Sequence, residues 1–162
     1  MNYWMQKPPL GSQLNATHFA RPDDLWLFNE GSGVIVNSLA NATDSGILTN
    51  GPEWVPGAWG TAIRFDTTTN KYITIADQDW LTPPSNFTLG AALQWNGTIG
   101  NNIILNKAGV SGTREWQLTI DTNNGGLRFV IGSDGNWTVI YTAGAITANV
   151  LTLYWQRFWG RR

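Results

Sequence analysis

The chain has 162 residues, only 13% of them charged, and a formal net charge of −1. An electrostatic nucleic-acid binder needs a strong basic excess, so this charge balance excludes nucleic acid as a partner. The absence of cysteine excludes disulfides, thiolate nucleophiles and cysteine-based metal sites.

Residues 1–24 are predicted to form an extended N-terminal arm, because prolines oppose a helix there and a Gly-Ser pair marks a break. The arm carries Tyr3 and Trp4 near its tip. It either hangs free or docks on the sandwich of its own chain or on a neighbour, since exposed aromatic side chains without a partner are unfavourable. Its first residues are too polar for a secretory signal peptide. No apolar run in the chain reaches the roughly 18 residues that a membrane span needs.

From residue 25 onward, short apolar segments alternate with turn signals, as an antiparallel sandwich requires. Strands are predicted at residues 25–28, 34–36, 47–48, 54–55, 62–65, 72–76, 87–95, 103–105, 114–121, 127–131 and 137–142. In the most regular of them, Trp116, Leu118 and Ile120 share one face, which is typical of a half-buried strand. No long amphipathic helix is predicted. The sequence therefore predicts an all-β fold, a two-sheet antiparallel β-sandwich.

The chain is predicted not to be an enzyme. Its single histidine, His18, lies in the proline-rich arm with no nucleophile or carboxylate arranged around it. A sandwich glycosidase needs two carboxylates flanking one bond, commonly two residues apart on one strand. None of the three glutamates has an acidic residue at that spacing: Glu30, Glu53 and Glu115.

Calcium is the one metal cofactor left open, because it needs only carboxylate and carbonyl oxygens from loops. Such oxygens could come from turn residues, with Asp66 and Asn70 as the candidate ligands and Asp77, Asp79 and Asp134 as further sources. The alternative interpretation is that these residues are solvated turn positions.

Ten tryptophans raise the question of a sugar-binding surface, because aromatic faces stack on pyranose rings. The strand patterns assign three of them to the core: Trp26, Trp116 and Trp137. Trp54 and Trp59 flank the predicted turn at Val55-Pro56-Gly57 and are expected to pack around it. Trp80 and Trp95 lie next to loops and are the candidate carbohydrate-binding residues, with packing in the core or at its rim as the alternative.

Several segments, taken in order, resemble one known family. They are LWLFNEGSG (25–33), ILTNGPEWVPGAWGTAIRFD (47–66), YITIAD (72–77), FTLGAAL (87–93), ILNKAGVSGTREWQLTID (104–121) and LRFVIGSDGNWT (127–138). The series is similar to the laminin-G-like jelly roll of the concanavalin A-like lectin/glucanase superfamily, over roughly residues 25–150. The resemblance implies a sandwich of two antiparallel sheets, in agreement with the alternation of the strands.

The opening KPPLGSQLN (7–15) is similar to the start of phage-encoded and environmental members of this family. This similarity implies a virion surface protein whose arm anchors it to a shell, tail or fibre. The expected function is a non-enzymatic structural or decoration module, present as a homo-oligomer or within a larger protein assembly. The alternative is a carbohydrate-binding, lectin-like module that attaches to glycans or a cell surface.

The sequence departs from the family pattern at two places, and related domains use the second of them for calcium. Ser38 stands where an aspartate is usual, and Asn70-Lys71 stands where an acidic pair is expected. Because Lys71 brings a positive charge, it argues against a calcium site.

A further departure concerns residues 151–162, LTLYWQRFWGRR, where the family normally continues with more strands. A jelly roll without those strands exposes sheet edges, which is costly. The segment is therefore predicted to be either a last strand of a shortened sandwich or a tail that contacts another chain. Its candidate assembly contacts are Trp155, Phe158 and Trp159.

Overall fold

The computed structural model describes residues 23–66, 70–82, 87–98, 102–108, 114–121, 125–133 and 136–158. These residues form eleven strands and two short 3-10 helices, and all strand pairs are antiparallel. The predicted all-β fold is confirmed. The chain divides into two compact units, Met1–Trp80 and Leu81–Arg162, here called the N-terminal unit and the C-terminal unit.

The N-terminal unit contains five strands: β1 (Ile35–Val36), β2 (Gly46–Thr49), β3 (Glu53–Gly57), β4 (Gly60–Arg64) and β5 (Tyr72–Ile75). β2 pairs with β1 on one side and with β5 on the other, which gives a three-stranded sheet. β3 and β4 form a separate hairpin. The 3-10 helices Ala42–Asp44 and Asp79–Leu81 lie before β2 and after β5.

Two local predictions in the N-terminal unit are wrong. Residues 25–28 do not form a strand, and Trp26 makes only an isolated bridge with Ser38. Phe28 has a φ of 55°, a left-handed conformation that interrupts an extended run. The turn expected at residues 55–57 lies inside β3, because Pro56 pairs with Thr61. A proline is tolerated there because β3 has β4 on one side and no second neighbour among the described strands.

The C-terminal unit contains six strands: β6 (Phe87–Gln94), β7 (Asn102–Ala108), β8 (Arg114–Ile120), β9 (Gly126–Ser133), β10 (Asn136–Ala145) and β11 (Leu151–Phe158). Strands β7 to β10 follow one another as a meander in the order β10-β9-β8-β7. β11 pairs with β6 over the full length of both strands. Residues 151–162 were predicted to be either a last strand or a tail. The described part of this segment, residues 151–158, is a strand.

One apolar core occupies the C-terminal unit. The apolar face predicted for β8 is buried, but the strand is not half-buried as predicted, because Gln117 and Thr119 on its other face are buried as well. The apolar core consists of Trp116, Leu118, Ile120, Leu127, Phe129 and Ile146. The Phe87 ring lies 5.9 Å from Phe129 and 6.5 Å from Trp116, measured between ring centroids. Burial of side chains of this size stabilises a fold by about 1.5–3 kcal/mol each.

No helix in the described part of the chain is long and apolar enough to cross a membrane.

Candidate functional site

Two tryptophans and one aspartate form a cluster in the N-terminal unit, here called the Trp80 stack: Trp26, Trp80 and Asp44. The two indole rings are stacked with their centroids 6.5 Å apart and their planes at 24°. Trp80 Nε1 donates a hydrogen bond to Asp44 Oδ2 at 3.2 Å, and Trp26 Nε1 donates to the Asp44 backbone oxygen at 2.9 Å. Asp44 is only 3% exposed, so one buried residue fixes the orientation of both indoles.

The segment before Asp44 explains how the carboxylate reaches the two indoles. Ser38 Oγ contacts the Asp24 carboxylate and accepts hydrogen bonds from the backbone N–H groups of Ala40 and Asn41. Asn41 then caps the 3-10 helix Ala42–Asp44 by accepting from the N–H of Thr43 at 3.2 Å. Ser38 is therefore the residue that begins this turn.

Trp80 is the more open of the two predicted carbohydrate-binding residues. It is 38% exposed, although one ring face lies on Trp26 and its N–H is held by Asp44. A fixed ring with an exposed remainder is suited to stacking. The carbohydrate-binding role of Trp80 stays a prediction.

Trp95 packs against the core of the C-terminal unit and is half-buried. Its Nε1 donates to the backbone oxygen of Thr98 at 3.2 Å. A Cβ added at Gly125 would lie 3.1 Å from the Trp95 ring, so the main chain of Gly125 lies close to the indole. These contacts match the alternative interpretation of Trp95, packing at the rim of the core.

Trp59 is an exposed aromatic residue that the sequence interpretation missed. It was expected to pack around a turn, but it lies in the two-residue loop of the β3–β4 hairpin and is 38% exposed. Its indole N–H forms no hydrogen bond with another described residue. The signal that could have located this loop is the pair Gly57 and Gly60, which bracket it and pair with each other.

The outward side of the three-stranded sheet forms an apolar surface, here called the sheet face: Ile35, Ile47, Thr49, Tyr72 and Thr74. Ile47 lies between Ile35 and Thr74 in the register, and Thr49 is opposite Tyr72. Ile47 is 53% exposed, whereas its chain neighbours Gly46 and Leu48 are buried on the opposite side. The sheet face carries no charged side chain, which is unusual for a surface exposed to water.

The candidate calcium ligands make contacts with other polar groups. Lys71 Nζ lies 2.5 Å from Asp66 Oδ2, so an ammonium already neutralises this carboxylate. The Asn70 backbone oxygen accepts from Asn50 Nδ2 at 2.6 Å. Among the described residues, no group of three or more His, Cys, Asp or Glu side chains could hold a metal ion. The calcium site stays a prediction, with Lys71 as the argument against it; Asp134 lies outside the described residues.

All three glutamates have partners. Glu30 Oε1 accepts from the backbone N–H of Asn37 at 2.7 Å, and Glu53 pairs with Arg64. Glu115 Oε2 lies 3.0 Å from Lys107 Nζ and accepts from the Thr82 hydroxyl at 3.0 Å. His18 lies outside the described residues, and the absence of enzymatic activity stays a prediction.

Three of the five predicted assembly contacts are not among the residues that the structure describes. Tyr3, Trp4 and Trp159 are outside the described residues. Trp155 and Phe158 belong to β11, where their backbones are opposite Gly90 and Phe87. Their side chains are not among those described, so their role in assembly stays a prediction.

No protein-family model, no curated protein and no solved structure matches this chain. The laminin-G-like resemblance therefore stays a hypothesis that depends on the ordered sequence segments.

Proposed function

We propose that this chain is a non-enzymatic structural or decoration module of a phage or virus-like assembly, with a laminin-G-like jelly roll as its fold and the virion surface as its location. The observation that supports the proposal is the sheet face. An uncharged surface on which exposed aliphatic and aromatic side chains lie together gains free energy when another protein covers it. The similarity of residues 7–15 to phage-encoded proteins supports the kind of assembly.

The sheet face is suited to self-association. Ile35, Ile47 and Tyr72 are each more than two-fifths exposed, and β-branched residues on a pleated surface pack well against a second such surface. Apolar area removed from water stabilises an interface by roughly 25 cal/mol per Å² before the costs of association. The proposed partner is therefore a second copy of the chain, within a homo-oligomer or a larger assembly.

The test is the mass of the full chain in solution, measured by light scattering. We expect an oligomer, and we expect Ile47→Lys to reduce its mass because a lysine would have to be desolvated in the interface. The matched control is Ile103→Lys, a residue of β7 that is 50% exposed outside the sheet face. A folded wild-type monomer would contradict the proposal, as would equal masses for the two variants.

The second candidate function is carbohydrate binding, in a lectin-like module that attaches to a glycan or a cell surface. The Trp80 stack favours it, because the exposed part of Trp80 is held in one orientation by Trp26 and Asp44. An aromatic face that is already fixed loses little conformational entropy when a sugar stacks on it.

A glycan array tests this second function. Saturable binding that is weakened by Trp80→Ala and retained by Trp80→Phe is expected, because phenylalanine keeps a ring face. Trp95→Ala probes the other predicted residue, and its indole contacts predict the smaller effect. A blank array would rule out carbohydrate binding for the chain.

A further inference from the structure

We propose that the tip of the β3–β4 hairpin is a binding site for a neutral pyranose sugar, formed by Trp59 and Asn29. Neither residue belongs to the Trp80 stack. The second candidate function is carbohydrate binding at Trp80. The present proposal has the same class of ligand but a different site, so it does not require Trp80 to contact the sugar.

The hairpin holds Trp59 in a tight loop. Gly57 and Gly60 form the closing pair, so only Ala58 and Trp59 lie between them. Gly60 has a φ of 127°, a conformation that side chains rarely adopt. A Cβ at Gly57 would lie 3.0 Å from the Ala62 Cβ. Both positions therefore favour glycine. Because glycine has no side chain, the residues on either side of the loop add no side chain beside the Trp59 indole.

The Asn29 carboxamide lies beside the same loop. Asn29 Oδ1 is 2.8 Å from the position that a Cβ would occupy at Gly60, the residue that follows Trp59. Two hydrogen bonds join the segment that carries Asn29 to the hairpin. The Thr61 hydroxyl donates to the Phe28 backbone oxygen at 2.5 Å, and Trp54 Nε1 donates to the Gly33 backbone oxygen at 2.9 Å.

The polar groups of both side chains are open to a ligand. Neither Trp59 nor Asn29 forms a side-chain hydrogen bond with another described residue, and both are exposed. A carboxamide offers one acceptor oxygen and two N–H donors, which matches sugar hydroxyls that both donate and accept. The indole face is electron-rich and attracts the C–H groups of a pyranose ring. Because both side chains are uncharged, they favour a neutral sugar over an anionic or cationic ligand.

The experiment measures binding of short neutral oligosaccharides of glucose, galactose and N-acetylglucosamine to the full chain by titration calorimetry. We expect Trp59→Ala to weaken binding by about tenfold, the upper range for a single aromatic contact. Trp59→Phe should retain most of the affinity, and Asn29→Ala should weaken it. Phe65→Ala is the matched control, since it removes another exposed aromatic side chain of the same unit that lies outside the sheet face.

Two outcomes would overturn the inference. The first is unchanged binding by Trp59→Ala; if Trp80→Ala abolishes binding in that case, the second candidate function stands alone. The second is a wild-type chain that binds none of the three oligosaccharides. Light scattering measures the proposed assembly independently of any sugar, so the failure of this inference and the failure of the assembly proposal are distinguishable.

Discussion

The two units of the chain distribute their apolar side chains in opposite ways. Among the described residues, seven of the nine buried apolar side chains belong to the C-terminal unit. Eight of the twelve exposed large apolar side chains belong to the N-terminal unit. The C-terminal unit is thus held by one continuous core, whereas the N-terminal unit leaves much of its apolar surface in contact with water.

The difference teaches that strand alternation alone does not identify a covered face. β8 alternates in sequence but is buried on both faces, including Gln117 and Thr119, whereas in β2 Leu48 is buried and Ile47 points outward. In the N-terminal unit, hydrogen bonds to the buried Asp44 carboxylate and backbone organise the region around the stacked indoles. We expect the two units to respond differently to substitutions that remove apolar contacts and to those that remove polar contacts.

The largest effect is expected from Phe129→Ala in the core of the C-terminal unit. Phe129 is 1% exposed and contacts the ring of Phe87, so the substitution leaves a cavity. The free energy of unfolding should fall by about 3–5 kcal/mol. Urea unfolding followed by circular dichroism measures it, with Leu153→Ala, at a β11 position that is 55% exposed, as a control that should change stability by less than about 0.5 kcal/mol. A loss below about 1 kcal/mol for Phe129→Ala would contradict a continuous core.

A smaller loss is expected from Gly46→Ala in the N-terminal unit. An added Cβ would lie 2.5 Å from Ile73 Cγ2 and 2.7 Å from Val36 Cγ2, too close for either side chain. Such overpacking costs about 1–3 kcal/mol. The same unfolding measurement applies, and Thr74→Ala on the outward side of β5 is the matched control. Equal stability of Gly46→Ala and wild type would mean that the inner side of this sheet is loosely packed.

Trp80→Phe should cost about 1–2 kcal/mol, because it leaves a buried oxygen of Asp44 without the indole donor. The control is Trp59→Phe, which removes an indole N–H that has no partner among the described residues. That variant should stay within about 0.5 kcal/mol of wild type. If the two substitutions had equal effects on the free energy of unfolding, the hydrogen bond to Asp44 would not organise the N-terminal unit.

The smallest effect on folding is expected from Ile47→Thr. Ile47 is 53% exposed and threonine keeps the β-branched shape, so the free energy of unfolding should change by less than about 0.5 kcal/mol. The self-association measured by sedimentation should nevertheless weaken, because the substitution removes apolar area from the sheet face. A large loss of stability would indicate that the sheet face is covered within the chain itself.

The sequence predicted best where structure is local. The period-two pattern identified β8 and its buried apolar face, because strand geometry depends on neighbouring residues. It did not predict that Gln117 and Thr119 on the other face are buried too. It failed where a local signal competes with pairing: Pro56-Gly57 has turn composition but lies in β3, and the apolar run before Phe28 ends in a left-handed residue. Asp44 could not be found, since the residues that it orients are 18 and 36 positions away in the chain.

The pairing of β11 with β6 has a consequence for the order in which the chain folds during synthesis. β6 is made before the whole β7–β10 meander, but its hydrogen-bonding partner is the last strand described. Until β11 leaves the ribosome, the backbone N–H and C=O groups of β6 stay open to pairing with another nascent chain. The meander can form early from neighbouring strands, whereas the β6–β11 pair joins residues as far apart in the chain as Phe87 and Phe158 and forms later.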